Sequence, residues 1–363
     1  MTGPGDLAGS PEPPGPEAGS PLLGAPVSDP PELLVPASPE SLVPAPRPGF
    51  RTFSLDGRRA PGLYLVGWLA SVLGAATIFV VLLGQPSDVA GALLLALGTL
   101  LLTTGLAAAA GSQAIERQAQ AGLPYRGPSP FLLFGANVAL TLLLELVAVV
   151  PLNALGITAG SSLEVLVSLL ILDGGAVLLV GLLVVGSGAL SWREMGLPGR
   201  SLDRAGLVRL IGQFVEGMLL AVPVLCLTIL LATVLINLLG TSPAGPLPAA
   251  HTASDAIINL VSGVLVAPLG EEIFYRGFAT TAWVRGMGVR GGIVRAALLF
   301  AVAHVLTLSG TPTSAFIAFA TRLPVALALG WIFIRRGSLA SSFGLHAMFN
   351  AIPLIVVGLS VQG

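Results

Sequence analysis

Long apolar runs separated by brief connections dominate the chain from Pro61 onward. A helix rises about 1.5 Å per residue, so roughly 20 apolar residues cross a hydrocarbon layer about 30 Å thick. Runs of that kind fall at 62–84, 89–111, 131–153, 162–189, 208–239, 254–284, 291–308, 313–334 and 338–360. The reading is an all-α polytopic membrane protein with nine transmembrane helices. Eight is the alternative count, since the seventh run is short. Composition agrees: 54% of the 363 residues are hydrophobic and only 10% are charged, against about 25% charged in soluble domains.

The first 60 residues are different material. Fourteen of the 29 prolines precede residue 50, among Gly, Ser and acidic residues. Such a segment cannot bury enough apolar surface to offset ordering, so 1–60 is expected to be a disordered tail. It lacks the basic start and apolar core of a signal peptide. Residues 61–250 then form N-terminal transmembrane helices, and 251–363 a separate late helical core. A net charge of −1 argues against nucleic acid as a partner, which wants a basic face. Cys226 is the sole cysteine, so no intrachain disulfide or thiolate cluster forms, and it reads as a small buried hydrophobe.

Orientation follows from the arginines, the chain having no lysine. Fifteen of them, from Arg47 to Arg336, fall in or beside connections that nine spans place on one side. The loops opposite, such as NALGITAG and TSPAGPLPAAHTA, carry none. The positive-inside rule makes the arginine side cytoplasmic, with the N-terminus inside. Trp192, Trp283 and Trp331 fall at that same interface, where indole rings concentrate.

Charges inside the late spans break the apolar pattern. Glu271, Glu272 and Arg276 lie in GEEIFYRGF, Phe300 and His304 in FAVAH, and His346 and Asn350 in HAMFN. A charged side chain at membrane depth is costly and reads as functional by default. Residues four apart share a helical face, so Glu272 can meet Arg276, and His346 and Asn350 project together. Glu271, about 100° round from Glu272, is expected to have different neighbours. Counted from the arginine-side ends, Glu271, His304 and His346 lie roughly 12 to 20 Å deep, as one shared cavity requires. Taken singly, each motif could be structural glue between helices. Arg322, in ATRLP, is expected to pair with Asp173 or Glu145.

EExxxR, FxxxH and HxxxN, in this order on successive late membrane helices, resemble the CPBP (CAAX protease and bacteriocin-processing) family of intramembrane proteases. EEIFYRG, ALLFAVAH and GSLASSFGLHAMFN carry the likeness, which covers about residues 255–351. The resemblance implies an endopeptidase that hydrolyses a peptide bond near the cytoplasmic face, acting on a membrane-associated protein or peptide.

Peptide hydrolysis needs a base for water and donors for the oxyanion. Glu271 suits the base, His304 positions the water, and His346 with Asn350 offers donors. Glu272 and Arg276 hold the helix, with Phe300 in support. Glu271, His304 and His346 would also make a three-ligand zinc site with an open position. The HExxH motif is absent, however, and His346 with Asn350 makes better sense as a donor pair, so no cofactor is firmly expected. Two other classes fit part of the pattern: a non-proteolytic scaffold or immunity-type member of the family, and a proton-coupled transporter. Intact motifs favour the enzyme over the first. The lack of a repeated motif disfavours the second. The Ala-, Gly- and Leu-rich, lysine-free composition points to a bacterial cell membrane and argues against a prenylated substrate.

Overall fold

A computed structural model of the chain describes residues 54–85, 89–199, 203–243, 245, 247–306 and 310–361. The tail expected over 1–60 lies almost wholly outside them. Among the described residues the secondary structure is helical, with no strand. Among the described residues, eight helices are long and apolar enough to cross a membrane. They are α1 (Pro61–Gly84), α2 (Val89–Gln118), α3 (Pro130–Ala154), α4 (Ser162–Val185), α5 (Arg204–Leu239), the segment Ala253–Leu306, α8 (Pro312–Arg336) and α9 (Leu339–Val361).

The count of eight against nine has one cause. Ala253–Leu306 spans 54 residues, about 80 Å if straight, far more than one crossing needs. It is broken at Gly288, whose φ of 81° and ψ of 170° are non-helical. Such a backbone is open in practice only to glycine. A Cβ on Gly292 would lie 2.5 Å from Val284 Cγ2 and 2.7 Å from its backbone nitrogen, so the chain folds back on itself. The first arm, 253–287, is α6 and the second, 289–306, is α7. They correspond to the sixth and seventh runs of the sequence.

The ends are set by local chemistry. Asp203 accepts from Gly206 N at 2.8 Å to cap α5. Thr252 and Asp255 form a reciprocal capping box at the start of α6. Thr311 caps α8, whose first residue is Pro312. Gly240 and Gly337 end α5 and α8 in the left-handed conformation.

Packing relies on small residues, since lipid removes most of the hydrophobic drive between helices. α1 lies along α2, with Gly67 and Gly74 buried on one and Gly91, Gly98 and Gly105 on the other. The seven-residue spacing keeps them on one seam. Likewise α5 lies against α9, where Gly217 meets the Ser341 carbonyl and Gly344 meets that of Phe214.

α6 occupies the middle of the late bundle, with α4, α7, α8 and α9 around it. All nine residues of Glu272–Thr280 are buried, so this stretch has no lipid-facing side. It is wound as a π-helix; the Thr280 hydroxyl donates to the Tyr275 carbonyl five residues back at 2.8 Å. Wide turns of this type are rare and concentrate at functional sites. The loop after α4 closes one end of the bundle, burying Leu190 and Met195.

Two expectations are corrected. Cys226 is exposed on α5; an apolar residue facing lipid has the same sequence signature as one in a core. Trp283 is buried and packs 5.0 Å from the Phe131 ring, so it serves the core rather than an interfacial belt. Trp192 and Trp331 remain partly exposed.

Candidate active site

Three helices bring the charged motifs to one place. Glu272 and Arg276 pair at 3.0 Å with almost no exposure. The guanidinium also stacks over the Phe300 ring at 4.3 Å, which offers its unpaired N–H groups a π face. Phe300 stands at the centre of the cluster: Tyr275 meets it edge-on at 5.2 Å, His346 at 5.8 Å, and His304 lies 4.2 Å away.

Both imidazoles are oriented through Nδ1. In His304 that nitrogen lies 2.8 Å from the Phe300 carbonyl oxygen, and in His346 it lies 2.8 Å from Glu272 Oε1. Each neighbour is an acceptor, so each Nδ1 donates to it and Nε2 is the nitrogen turned towards the site. Both Nε2 atoms face one carboxylate: His304 Nε2 is 3.6 Å from Glu271 Oε1, and His346 Nε2 is 3.5 Å from Glu271 Oε2. At 3.5 to 3.6 Å, two ring nitrogens and a carboxylate leave room for a small proton donor between them. Water has that size and that chemistry. Glu271 and His304 are 15% and 24% exposed, enough opening to admit it.

The expectation that the two glutamates have different neighbours is corrected in part, because His346 contacts both. An imidazole presents nitrogens on opposite edges, so one ring can bridge carboxylates from consecutive residues. Asn350, one turn further along α9, donates from Nδ2 to the Gly263 carbonyl at 2.8 Å. One of its two amide hydrogens is thus committed to a π-helical turn of α6. Arg322 pairs with neither Asp173 nor Glu145. It donates to the Ala318 carbonyl at 3.2 Å.

Asp173, expected from the sequence only as a partner for Arg322, instead lies against Gly270 beside the site. It is buried on α4, with Oδ2 lacking a hydrogen-bond partner, and its side chain fills the space a Cβ on Gly270 would need. Gly263, as acceptor for Asn350, is a second such neighbour. Neither belongs to a motif, and only packing identifies them.

Glu271, His304 and His346 have the donor chemistry of a zinc set. Among the described residues, however, no three such groups close into an arrangement that could hold a metal ion. The residues as placed do not fit the ion, and no step is derived through one.

The helices and this buried acid–base cluster define a multi-pass integral membrane protein with a polar site inside its late bundle. Residues 253–352 match the model of the family described as Type II CAAX prenyl endopeptidase Rce1-like. The match covers under a third of the chain and contains every motif residue named above. No curated protein and no solved structure is significantly similar to the chain.

Proposed function

We propose that the chain is an intramembrane endopeptidase in which Glu271 is the general base. The observation that carries this reading is the pair of imidazole Nε2 atoms facing the Glu271 carboxylate, at 3.6 and 3.5 Å. A water in that gap donates one hydrogen to Glu271 and the other to His304, which aligns an oxygen lone pair for attack. Glu271 takes the proton as the C–O bond forms. It then passes that proton to the amine as the C–N bond breaks.

Glu272 fixes the tautomer of His346 and neutralises Arg276. Asn350 keeps one amide hydrogen for the oxyanion. The substrate is a membrane-associated protein or peptide, cut towards the arginine-bearing, cytoplasmic face of a bacterial cell membrane.

The test uses full-length protein and Glu271→Gln, which keeps shape and removes the proton acceptor. Membrane fractions from cells expressing each are compared for new peptide termini by mass spectrometry. Termini that appear only with the intact site, and are reproduced by purified protein on the corresponding synthetic peptide, are expected. Identical termini in both samples would sink the proposal.

A further inference from the structure

Hydrolysis consumes a water for each bond cut, so a site at membrane depth needs a route by which water arrives. The arginine-side half of α6 is packed with apolar side chains: Phe274, Phe278, Ala279 and Trp283 are buried there in one cluster with Leu190 and Met195. The other half of the same helix is built differently.

At the arginine-free ends of α4 and α6 lies a cavity of about 300 Å³, lined among others by Ser162, Pro248, His251 and Asp255. His251 is exposed, so the cavity meets solution. Asn259 follows Asp255 by one turn of α6. It donates to the Pro248 carbonyl at 2.9 Å, which ties it to the cavity wall. Ser262 follows one turn further on, while Ile257, Leu260, Val261 and Leu265 are exposed on the lipid side. Asn259 is 5% exposed and Ser262 0%, yet Asn259 Oδ1 and Ser262 Oγ have no hydrogen-bond partner among the described residues.

The line continues into the site. Gly263, beside Ser262, accepts from Asn350, and His346, one turn away on α9, faces Glu271. At the far end Asp173 Oδ2, buried and equally unpartnered, belongs to a side chain lying against Gly270, the neighbour of Glu271. α4 packs along this whole stretch of α6. A buried polar atom without a protein partner ordinarily bonds an ordered water. One alone would be a local defect. Three along one helix pair, between a solvent-facing cavity and the base, form a file.

We propose that the α4–α6 seam is a water path, running from the cavity at Asp255 past Asn259 and Ser262 to Glu271, and that it delivers the water the reaction consumes. This rests on the reading of Glu271 as the base. Asn259 Oδ1 accepts a hydrogen from one water, and the Ser262 hydroxyl accepts from one and donates to the next. Both side chains are uncharged, which suits water rather than an ion.

The test uses full-length protein in sealed membrane vesicles, with Ser262→Cys in a Cys226→Ala background. Silver ion, close to water in size, is applied briefly to one face. The thiol that survives is then counted by maleimide labelling after denaturation. Silver on the face from which Ser242→Cys labels should consume the Ser262→Cys thiol, severalfold faster than silver on the opposite face. Ala221→Cys, equally buried but in an apolar cluster on α5, should keep its thiol from both. Adding Asn259→Leu, which sets an apolar side chain in the path, should protect the Ser262→Cys thiol severalfold. On the synthetic peptide defined above, Asn259→Leu alone should lower kcat severalfold with KM nearly unchanged. A merely structural Asn259 would move thermal stability and leave the silver reaction as it was. If Asn259→Leu does not fold, the comparison of the two faces decides. A Ser262→Cys thiol that survives silver from both faces, or is consumed equally from both, overturns the path and leaves the proteolytic reading standing. A wild type that cleaves nothing overturns that reading, and with it the path's role in supplying the reaction.

Discussion

Glu272 accepts the Nδ1 hydrogen of His346 at 2.8 Å, and that bond decides which nitrogen of the ring faces Glu271. The same carboxylate balances Arg276 at 3.0 Å. One fully buried side chain therefore sets a tautomer and cancels a charge. Glu272→Ala leaves Arg276 uncompensated and should destabilise the fold by about 3–5 kcal/mol. Glu272→Gln retains an acceptor oxygen and should cost less. Thermal unfolding in detergent checks the order; equal stability of wild type and Glu272→Ala would refute it.

Metal dependence separates two kinds of chemistry at the same residues. Purified active protein should keep its turnover after exhaustive chelation, with no stoichiometric zinc by elemental analysis. Activity lost on chelation and restored by zinc would replace the water-activating glutamate with a zinc-bound water.

Gly270 and Asp173 occupy space that cannot be shared. Gly270→Ala should force α4 and α6 apart and cost about 1–3 kcal/mol, the usual range for overpacking. Asp173→Ala should recover much of that loss in the double variant. Additive effects, measured by thermal unfolding of the four proteins, would show that the two positions do not touch.

Outside the membrane segments, Glu194 bonds Arg285 at 2.6 Å and accepts from the Ser191 hydroxyl at 2.7 Å. The Arg285 hydrogen bond is the largest of the causes that hold its carboxyl down to about 2, with the hydrogen bonds from Ser191 next. A lowered acid stabilises above its unfolded value and loses that contribution as pH falls through about 2, so the tie should persist across the physiological range. Both side chains are substantially exposed, which limits its worth to about 1 kcal/mol or less. Glu194→Gln should open the 190–196 loop to limited proteolysis at neutral pH; unchanged digestion would count against the tie.

The orientation is testable with single cysteines in a Cys226→Ala background. Leu55→Cys should label from the cytoplasm and Ser242→Cys from outside. Labelling of both from one side would break the nine-pass arrangement.

Hydropathy located the helices because lipid demands unbroken apolar length, and every helix of the structure overlaps a run read from the chain. The same signal cannot separate a lipid-facing residue from a core one, which is why Cys226 and Trp283 were misplaced. The turn at Gly288 was legible only as a gap between runs; its tightness depends on the approach of Gly292 to Val284. Glu271, Glu272, Arg276, His304 and His346 were legible as charges in an apolar setting, and the structure gathers them. The doubled contact of His346, the bond from Asn350 to Gly263 and the orientation of Arg322 were not. Each depends on where a side chain points from a helix whose neighbours the sequence does not name.

The reversal at Gly288 has a consequence in time. Glu271 and His304 stand on the two arms of one hairpin, so a local turn brings them together as soon as that hairpin enters the membrane. His346 comes last, on α9. A nascent chain that has not yet inserted α9 carries a carboxylate and one imidazole but lacks the ring that bridges both glutamates. Competence for cleavage would then belong to the finished chain, and neighbouring proteins would be spared during synthesis. A chain ended before Leu339 should insert and show no turnover, and co-expression of the missing helix should restore it.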